Sequence, residues 1–280
     1  ISRRCMECYL PSLGVLIMDS NITATVILDV QPQIGHRLTT LEVTMPKFLV
    51  AQLNTHRALV KNSASSRAIP VTQFIRNILE SPVTPANHRM PANSSGMTPK
   101  SYLKGIKKLL SIGLWNTGMY LNLGIAYLQH KLGLHKSWAN RPLEAYYYTK
   151  VLITATDWDN FFNLRIHSDA QDAMCDVAYK IKDAIDGHLP FPVSPGYWYL
   201  PYVGALLEPT QADLDISVSC CAQVSYRTLD MSPDKAKRVV SKLLGDTPHW
   251  SPFEHIAVLD YKPKGSYKSW STYRHILDNQ

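Results

Sequence analysis

TTLEVTMPKFLVAQLNTHRALVKNSASSRA, residues 39–68, is the stretch on which the fold turns. Thr39 to Val43 read as a strand, and Pro46 stands where proline favours the first turn of a helix. Phe48, Leu49, Gln52, Leu53 and His56 recur at helical spacing, which sets Gln52 and His56 one turn apart on one face. The Ser-rich run NSASSR (62–67) ends this helix and opens a loop. His56, Arg57, Asn62, Ser65 and Arg67 collect there. Two guanidiniums, an imidazole and several hydroxyls make either a phosphate cradle or a solvated turn, because arginine binds phosphate as a bidentate fork.

Working outward, PVTPANHRMPANSSGMTP (82–99) holds four prolines and little periodicity, which predicts a long surface loop. Helical patterning resumes from about Lys100 to Lys131 and again from Pro142 to about Thr154. Ser168 with Gln171 has capping-box form, and Ala170, Ala173, Met174, Val177, Ala178, Ile181 and Ile185 continue an apolar stripe. CCAQVSYR (220–227) reads as a core strand, 190–209 as a Pro- and aromatic-rich connection, and Ser232-Pro233 as the start of a helix through Leu244. IAVLDYKP (256–263) reads as a strand. No fixed-period repeat or composition shift divides the chain, so 18–280 is expected to be a single domain, with 1–17 an extension before Met18.

The chain is 280 residues long, 45% hydrophobic and 18% charged, enough to bury a sizeable core. A formal charge of +7 favours anionic partners: nucleic acid, an acidic membrane surface or phosphorylated small molecules. The lysines and arginines are dispersed, with no RNA-binding signature, so nucleic acid is the weaker expectation. Cys5, Cys8, Cys175, Cys220 and Cys221 form no secreted disulfide framework, which points to a reducing cytoplasmic compartment. Cys5 and Cys8 lack a second pair for a zinc site, so no metal is expected. The apolar run after the basic start is broken by Pro11, unlike a signal peptide. Leu109 to Leu128 approaches membrane-span length but contains Asn116, Asn122 and three glycines, so it reads as a buried helical hairpin or an oligomer-contact helix.

Four segments together resemble the flavin-dependent thymidylate synthase family. The family's signature loop, RHRxxSxNExSxRY, is matched by His56, Arg57, Asn62, Ser65 and Arg67, with Gln52 matching a glutamine just upstream. Its FLNLRxxSxAQ segment is matched in DNFFNLRIHSDAQ (159–171) by Phe162, Asn163, Leu164, Arg165, Ser168, Ala170 and Gln171. ARVSY appears as AQVSY (222–226), HxSPFEH as HWSPFEH (249–255), and a further family arginine falls on Arg141 in ANRPLE. The resemblance runs from about Thr39 to Tyr261. In the family, ARVSY and SPFEH come first; here they come last. The order is that of a circular permutation, which is feasible when the old termini lie close together.

The resemblance implies an α+β fold with an antiparallel sheet packed with long helices, and a homotetramer whose active sites lie between subunits. Each site would hold FAD, a pyrimidine deoxynucleotide and a folate. On that analogy His56, Arg57, Asn62, Asn160 and Asn163 contact FAD, with Ser251 and Glu254 nearby, while Gln52, Ser65, Arg67, Arg141 and Arg165 hold the nucleotide. Arg165 would be the catalytic contact to the pyrimidine carbonyl, stabilising charge that develops on the ring. The implied reaction converts dUMP to dTMP with NADPH and methylene-tetrahydrofolate. The chain has no Cys-His pair of the kind that supplies a nucleophile in the classical thymidylate synthases, so Cys220 and Cys221 are expected to be structural.

The chain departs from the signature at Thr55, Val60, Ser63 and Ala68, which replace an arginine, a serine, a glutamate and a tyrosine. Losing an arginine and a glutamate changes the hydrogen-bond code that discriminates pyrimidines. Hydroxymethylation of dUMP or dCMP is therefore the alternative expectation, and a non-catalytic nucleic-acid-binding protein on the same fold is the alternative of another class. Arg274 in SWSTYRH (269–275) stands either as a replacement cation or on a solvated tail.

Overall fold

The computed structural model describes residues 19–94, 101–224, 228–260 and 262–278. The extension 1–17, Met18, Cys5 and Cys8 lie outside these residues, as do Ser225 and Tyr226 of the AQVSY segment. β1 (Thr23–Pro32) and β2 (Leu38–Pro46) form an antiparallel hairpin, followed by a 3-10 turn (Lys47–Leu49) and α1 (Val50–Asn54). Then come β3 (Val60–Ser63), α2 (Val71–Glu80), α3 (Gly105–Lys131), α4 (Lys136–Ala139), β4 (Tyr148–Ala155), α5 (Asp159–Arg165) and α6 (Asp172–Asp186). The last third holds β5 (Phe191–Val193), β6 (Trp198–Leu200), β7 (Gly204–Leu206), α7 (Gln211–Ala222), α8 (Pro233–Leu243), β8 (Ala257–Leu259), β9 (Trp270–Thr272) and α9 (Tyr273–Asp278).

The fold is mixed α and β, with two sheets dominated by antiparallel pairs. One runs β3-β4-β2-β1-β5 and the other β7-β6-β8-β9. The strands pair antiparallel, as expected, apart from β5, which pairs with β1 in parallel. Strand alternation explains the layering, since successive side chains point to opposite faces. Leu41, Val43 and Met45 of β2, with Val151 and Ile153 of β4, share a core with Met174, Val177, Ala178 and Ile181 of α6. Leu152 points the other way, into a core with Leu214 and Val218 of α7, Val240 of α8 and Phe253. The first sheet is thus covered by α6 on one face and by the second sheet with α7 and α8 on the other.

Several expectations are corrected. The helix expected from Pro46 is shorter, and Val60–Ser63 leaves it to become an edge strand on β4. Residues 148–155 form β4 rather than helix, because a strand paired on both sides and buried on both faces shows no alternation to read. Cys220 and Cys221 lie at the end of α7 rather than on a strand. The connection 190–209 contains three short strands. The helix read from Ser232-Pro233 is α8.

α3 is one continuous helix of 27 residues, not a hairpin. It buries Met119, Leu123 and Ala126 against Phe74 and Leu143, yet leaves Leu110, Leu114, Leu121, Ile125 and Leu128 exposed. At 3.6 residues per turn those five share the face opposite the buried three. No helix among the described residues is long and apolar enough to cross a membrane.

A hydrogen-bonded chain threads the space between the sheets. Tyr199 Oη donates to Leu28 O and lies 2.7 Å from Thr40 Oγ1, the Thr40 and Thr154 hydroxyls lie 2.7 Å apart, and Thr154 Oγ1 lies 2.7 Å from His255 Nδ1. His255 is fully buried, and burial pushes its pKa down from 6.5 to about 3. Between those values the unfolded chain binds a proton that the folded chain excludes, so the contribution is full above pH 6.5 and is lost as pH falls toward 3. From about pH 7.5 to about pH 4.5, wild type is expected to lose about 2–3 kcal/mol more stability than His255→Gln. Urea midpoints of both proteins at the two pH values check this; parallel losses would contradict it.

Candidate functional site

α5 begins after Trp158, buries Phe161 and ends on Arg165, whose side chain is half-buried. Arg165 Nε donates to His56 Nε2 at 2.8 Å, and its Nη2 lies 3.2 Å from Thr55 Oγ1. His56 therefore presents Nε2 as an acceptor, which is the neutral imidazole with its proton on Nδ1. Burial, then the charges of Arg165 and Lys61, hold its pKa below the usual imidazole value. The ring also stands edge-on to Phe161 at 5.0 Å. Thr55, where the signature has arginine, thus occupies a place already served by a guanidinium from α5.

His56 lies just beyond α1 rather than on it, its backbone N–H donating to Leu53 O at 3.1 Å. Gln52 sits on α1 and reaches another segment: its Nε2 donates to Gln171 Oε1 at 2.5 Å. Gln171 is the residue before α6, and its side chain makes no cap to that helix. The expected capping box is absent for this reason. Gln171 faces Gln52, and Ser168 Oγ lies 3.4 Å from Asp169 Oδ1 instead.

Gln52, Arg165 and Gln171 line one cavity of about 1020 Å³, walled by Phe48, Trp115 and the segment 83–94. Its prolines predict only a surface loop, yet the segment brings His88 and Arg89 to the same cavity. No periodicity marks them; a cation between prolines was the sole signal. Trp115 from α3 joins through its Nε1, which donates to Val83 O at 2.9 Å.

The other expected residues fall elsewhere. Ser65 and Arg67 are exposed at the 3-10 turn Ser66–Ala68, and Arg141 is exposed and paired with Glu144 at 3.0 Å. Asn140 Nδ2 joins these segments by donating to Ser66 O and Ile69 O at 2.8 and 2.9 Å. None of the three lines the cavity that holds Arg165. Arg57, Asn160 and Asn163 are exposed, and none of them lines the cavity. Asn62 is engaged in holding the fold, its Nδ2 donating to Cys221 O at 2.7 Å.

HWSPFEH contains a 3-10 turn (Ser251–His255) that packs against β3, a strand from the first quarter of the chain. Ser251 is exposed, while Glu254 is ion-paired with Arg274, whose guanidinium also lies 5.9 Å from the Trp250 ring. Arg274 therefore stands on the ordered helix α9 rather than on a solvated tail. Burial raises the Cys220 thiol to about 11 and Cys221 well above the thiol range, so neither is poised as a nucleophile. Among the described residues no group of three or more His, Cys, Asp or Glu side chains is arranged to hold a metal. No protein-family model matches the chain, and no curated protein matches it.

Proposed function

We propose that the protein transfers a one-carbon unit from methylene-tetrahydrofolate to the 5-position of a pyrimidine deoxynucleotide, converting dUMP to dTMP, with FAD as cofactor and NADPH as reductant. The observation that carries this reading is the convergence of Gln52, Arg165 and Gln171, from two family-like segments, on one cavity, with His56 bonded to Arg165 behind it. The packing of the SPFEH turn against β3 supports the circular permutation that the segment order implies.

The chain's own part is orientation and electrostatics. Arg165 would donate to the pyrimidine carbonyl, with its direction fixed by His56 and Thr55. Gln52 and Gln171 offer two amides able to read the ring edge. Arg57, Asn160 and Asn163, all exposed, offer donors suited to an anionic, hydrogen-bonding cofactor such as FAD. When bound, the reduced flavin would supply the hydride that completes the methyl group. Asn62 and Glu254 enter this reading only if they exchange their present partners.

Ser65, Arg67 and Arg141 form a second cluster outside the cavity, which supports a composite site completed by another copy of the chain. The outward apolar stripe of α3 is the surface suited to that assembly. Leu114→Glu combined with Leu121→Glu is expected to convert a homotetramer to smaller species. Light scattering after size-exclusion chromatography measures this, and an unchanged mass would remove α3 from the interface.

The visible absorption spectrum of the purified protein tests the cofactor. Product mass after incubation with dUMP or dCMP, methylene-tetrahydrofolate and NADPH tests the reaction. A methylated uracil nucleotide supports the proposal; a hydroxymethylated product would replace it with the water-terminated reaction. Absence of flavin, with steeply salt-dependent binding of DNA or RNA, would overturn it in favour of a nucleic-acid-binding protein.

A further inference from the structure

Part of the wall of the cavity that holds Arg165 is built by the segment 83–94, which carries none of the family-like motifs. Consecutive residues His88 and Arg89 grip α6 at positions one helical turn apart. His88 Nδ1 lies 3.0 Å from Asp176 Oδ2, and Arg89 Nη2 lies 2.6 Å from Asp172 Oδ1. Backbone bonds from Ala92 N to Ser101 O and from Leu103 N to Met90 O, both 2.8 Å, hold the segment from behind. The Arg89 guanidinium also lies over the Tyr102 ring at 5.1 Å.

Arg89 is thus fixed by a carboxylate and an aromatic face while its side chain keeps 40% exposure and lines the cavity. The Asp172 side chain is only 10% exposed, and burial raises its pKa, against the opposing effect of Arg89. A guanidinium held in place before binding loses little freedom when it meets an anion, and it carries its charge at any working pH. Phe48 and Trp115 line the same cavity and offer apolar, aromatic wall to a planar ring.

We propose that Arg89 is a ligand-binding residue of this cavity, receiving the anionic group of a ligand whose planar ring lies against Phe48 and Trp115. The inference rests on the reading of this cavity as the nucleotide and folate site. Its anion is a phosphate monoester if it comes from the nucleotide, or a carboxylate if it comes from the glutamyl tail of the folate. Asp172 acts through Arg89, as the positioning residue.

Equilibrium binding of dUMP, deoxyuridine, tetrahydrofolate and a reduced pterin lacking the glutamyl tail, to wild type, Arg89→Gln and Arg89→Lys, tests it. Arg89→Gln is expected to weaken one charged ligand roughly ten- to hundredfold, with partial recovery in Arg89→Lys. The matching uncharged analogue is expected to bind both proteins equally. Loss for dUMP but not deoxyuridine identifies the phosphate, and loss for tetrahydrofolate but not the tail-less pterin identifies the carboxylate. Wild-type affinity of Arg89→Gln for both charged ligands would overturn the inference while leaving the parent reading intact. Equal losses for a charged ligand and its uncharged analogue would also overturn it, as a structural effect. Failure of wild type to bind dUMP or tetrahydrofolate would overturn both.

Discussion

Arg165→Ala is expected to raise the barrier to product formation by about 2–4 kcal/mol, comparable with removing a donor from an oxyanion site. In single-turnover experiments that is a loss of roughly 30- to 1000-fold. Flavin content should stay at the wild-type level, because His56, an expected FAD contact bonded to Arg165, is also held against Phe161, and the other proposed FAD contacts lie on Arg57, Asn160 and Asn163. Arg57→Ala should show the converse, with flavin released and the chemistry of the remaining holoprotein little changed. A destabilised protein would lose both together. Full activity in Arg165→Ala would remove this residue from the site, and equal flavin loss in both variants would defeat the division of roles.

Phe253→Ala is expected to cost about 3–5 kcal/mol of stability, the range for deleting a buried phenyl ring. Phe253 has no exposed surface and packs with Leu152, Leu214, Val218 and Val240, so it ties the C-terminal SPFEH turn to the first sheet. Its ring also meets Trp250 and Tyr273 at 5.6 and 5.9 Å. Partial collapse of neighbours cannot refill that volume without moving β4, which is paired on both sides. Urea unfolding measures the loss. A change below about 1 kcal/mol would mean that the turn is docked on the sheet without being part of its core.

What the sequence disclosed, it disclosed where one physical signal acted without competition. TTLEV alternates because Leu41 and Val43 enter one core while Thr40 and Glu42, on the other face, take polar partners, and Ser232-Pro233 opens α8 with proline at the first turn, where its missing N–H costs nothing. The stripe from Ala173 to Ile185 was legible because α6 buries a single face. Residues 148–155 were misread because burial on both faces erases the period that distinguishes strand from helix. The role of Gln171 was not legible, because the cap signature counts residue types and not directions; its amide meets Gln52 directly instead.

The candidate site divides the same way. Arg165, His56 and Gln52 could be singled out because each lies in a segment with a recognisable pattern. Arg89 could not, since its position depends on an ion pair with a helix 83 residues further along. The pairing of Asn62 with Cys221 and of Glu254 with Arg274 was equally hidden, because both are contacts between distant segments. Local pattern locates elements, whereas the partners of a polar side chain are decided by the fold.

The central claim is that a reduced flavin on this protein reacts only when the pyrimidine and folate are both in place. It is tested most directly by reducing the purified holoprotein without oxygen and following the flavin spectrum on addition of dUMP and methylene-tetrahydrofolate. The proposed reaction predicts reoxidation only when both are present, with one equivalent of dTMP formed per flavin reoxidised. Reoxidation independent of the nucleotide, or complete reoxidation without a methylated product, would contradict it.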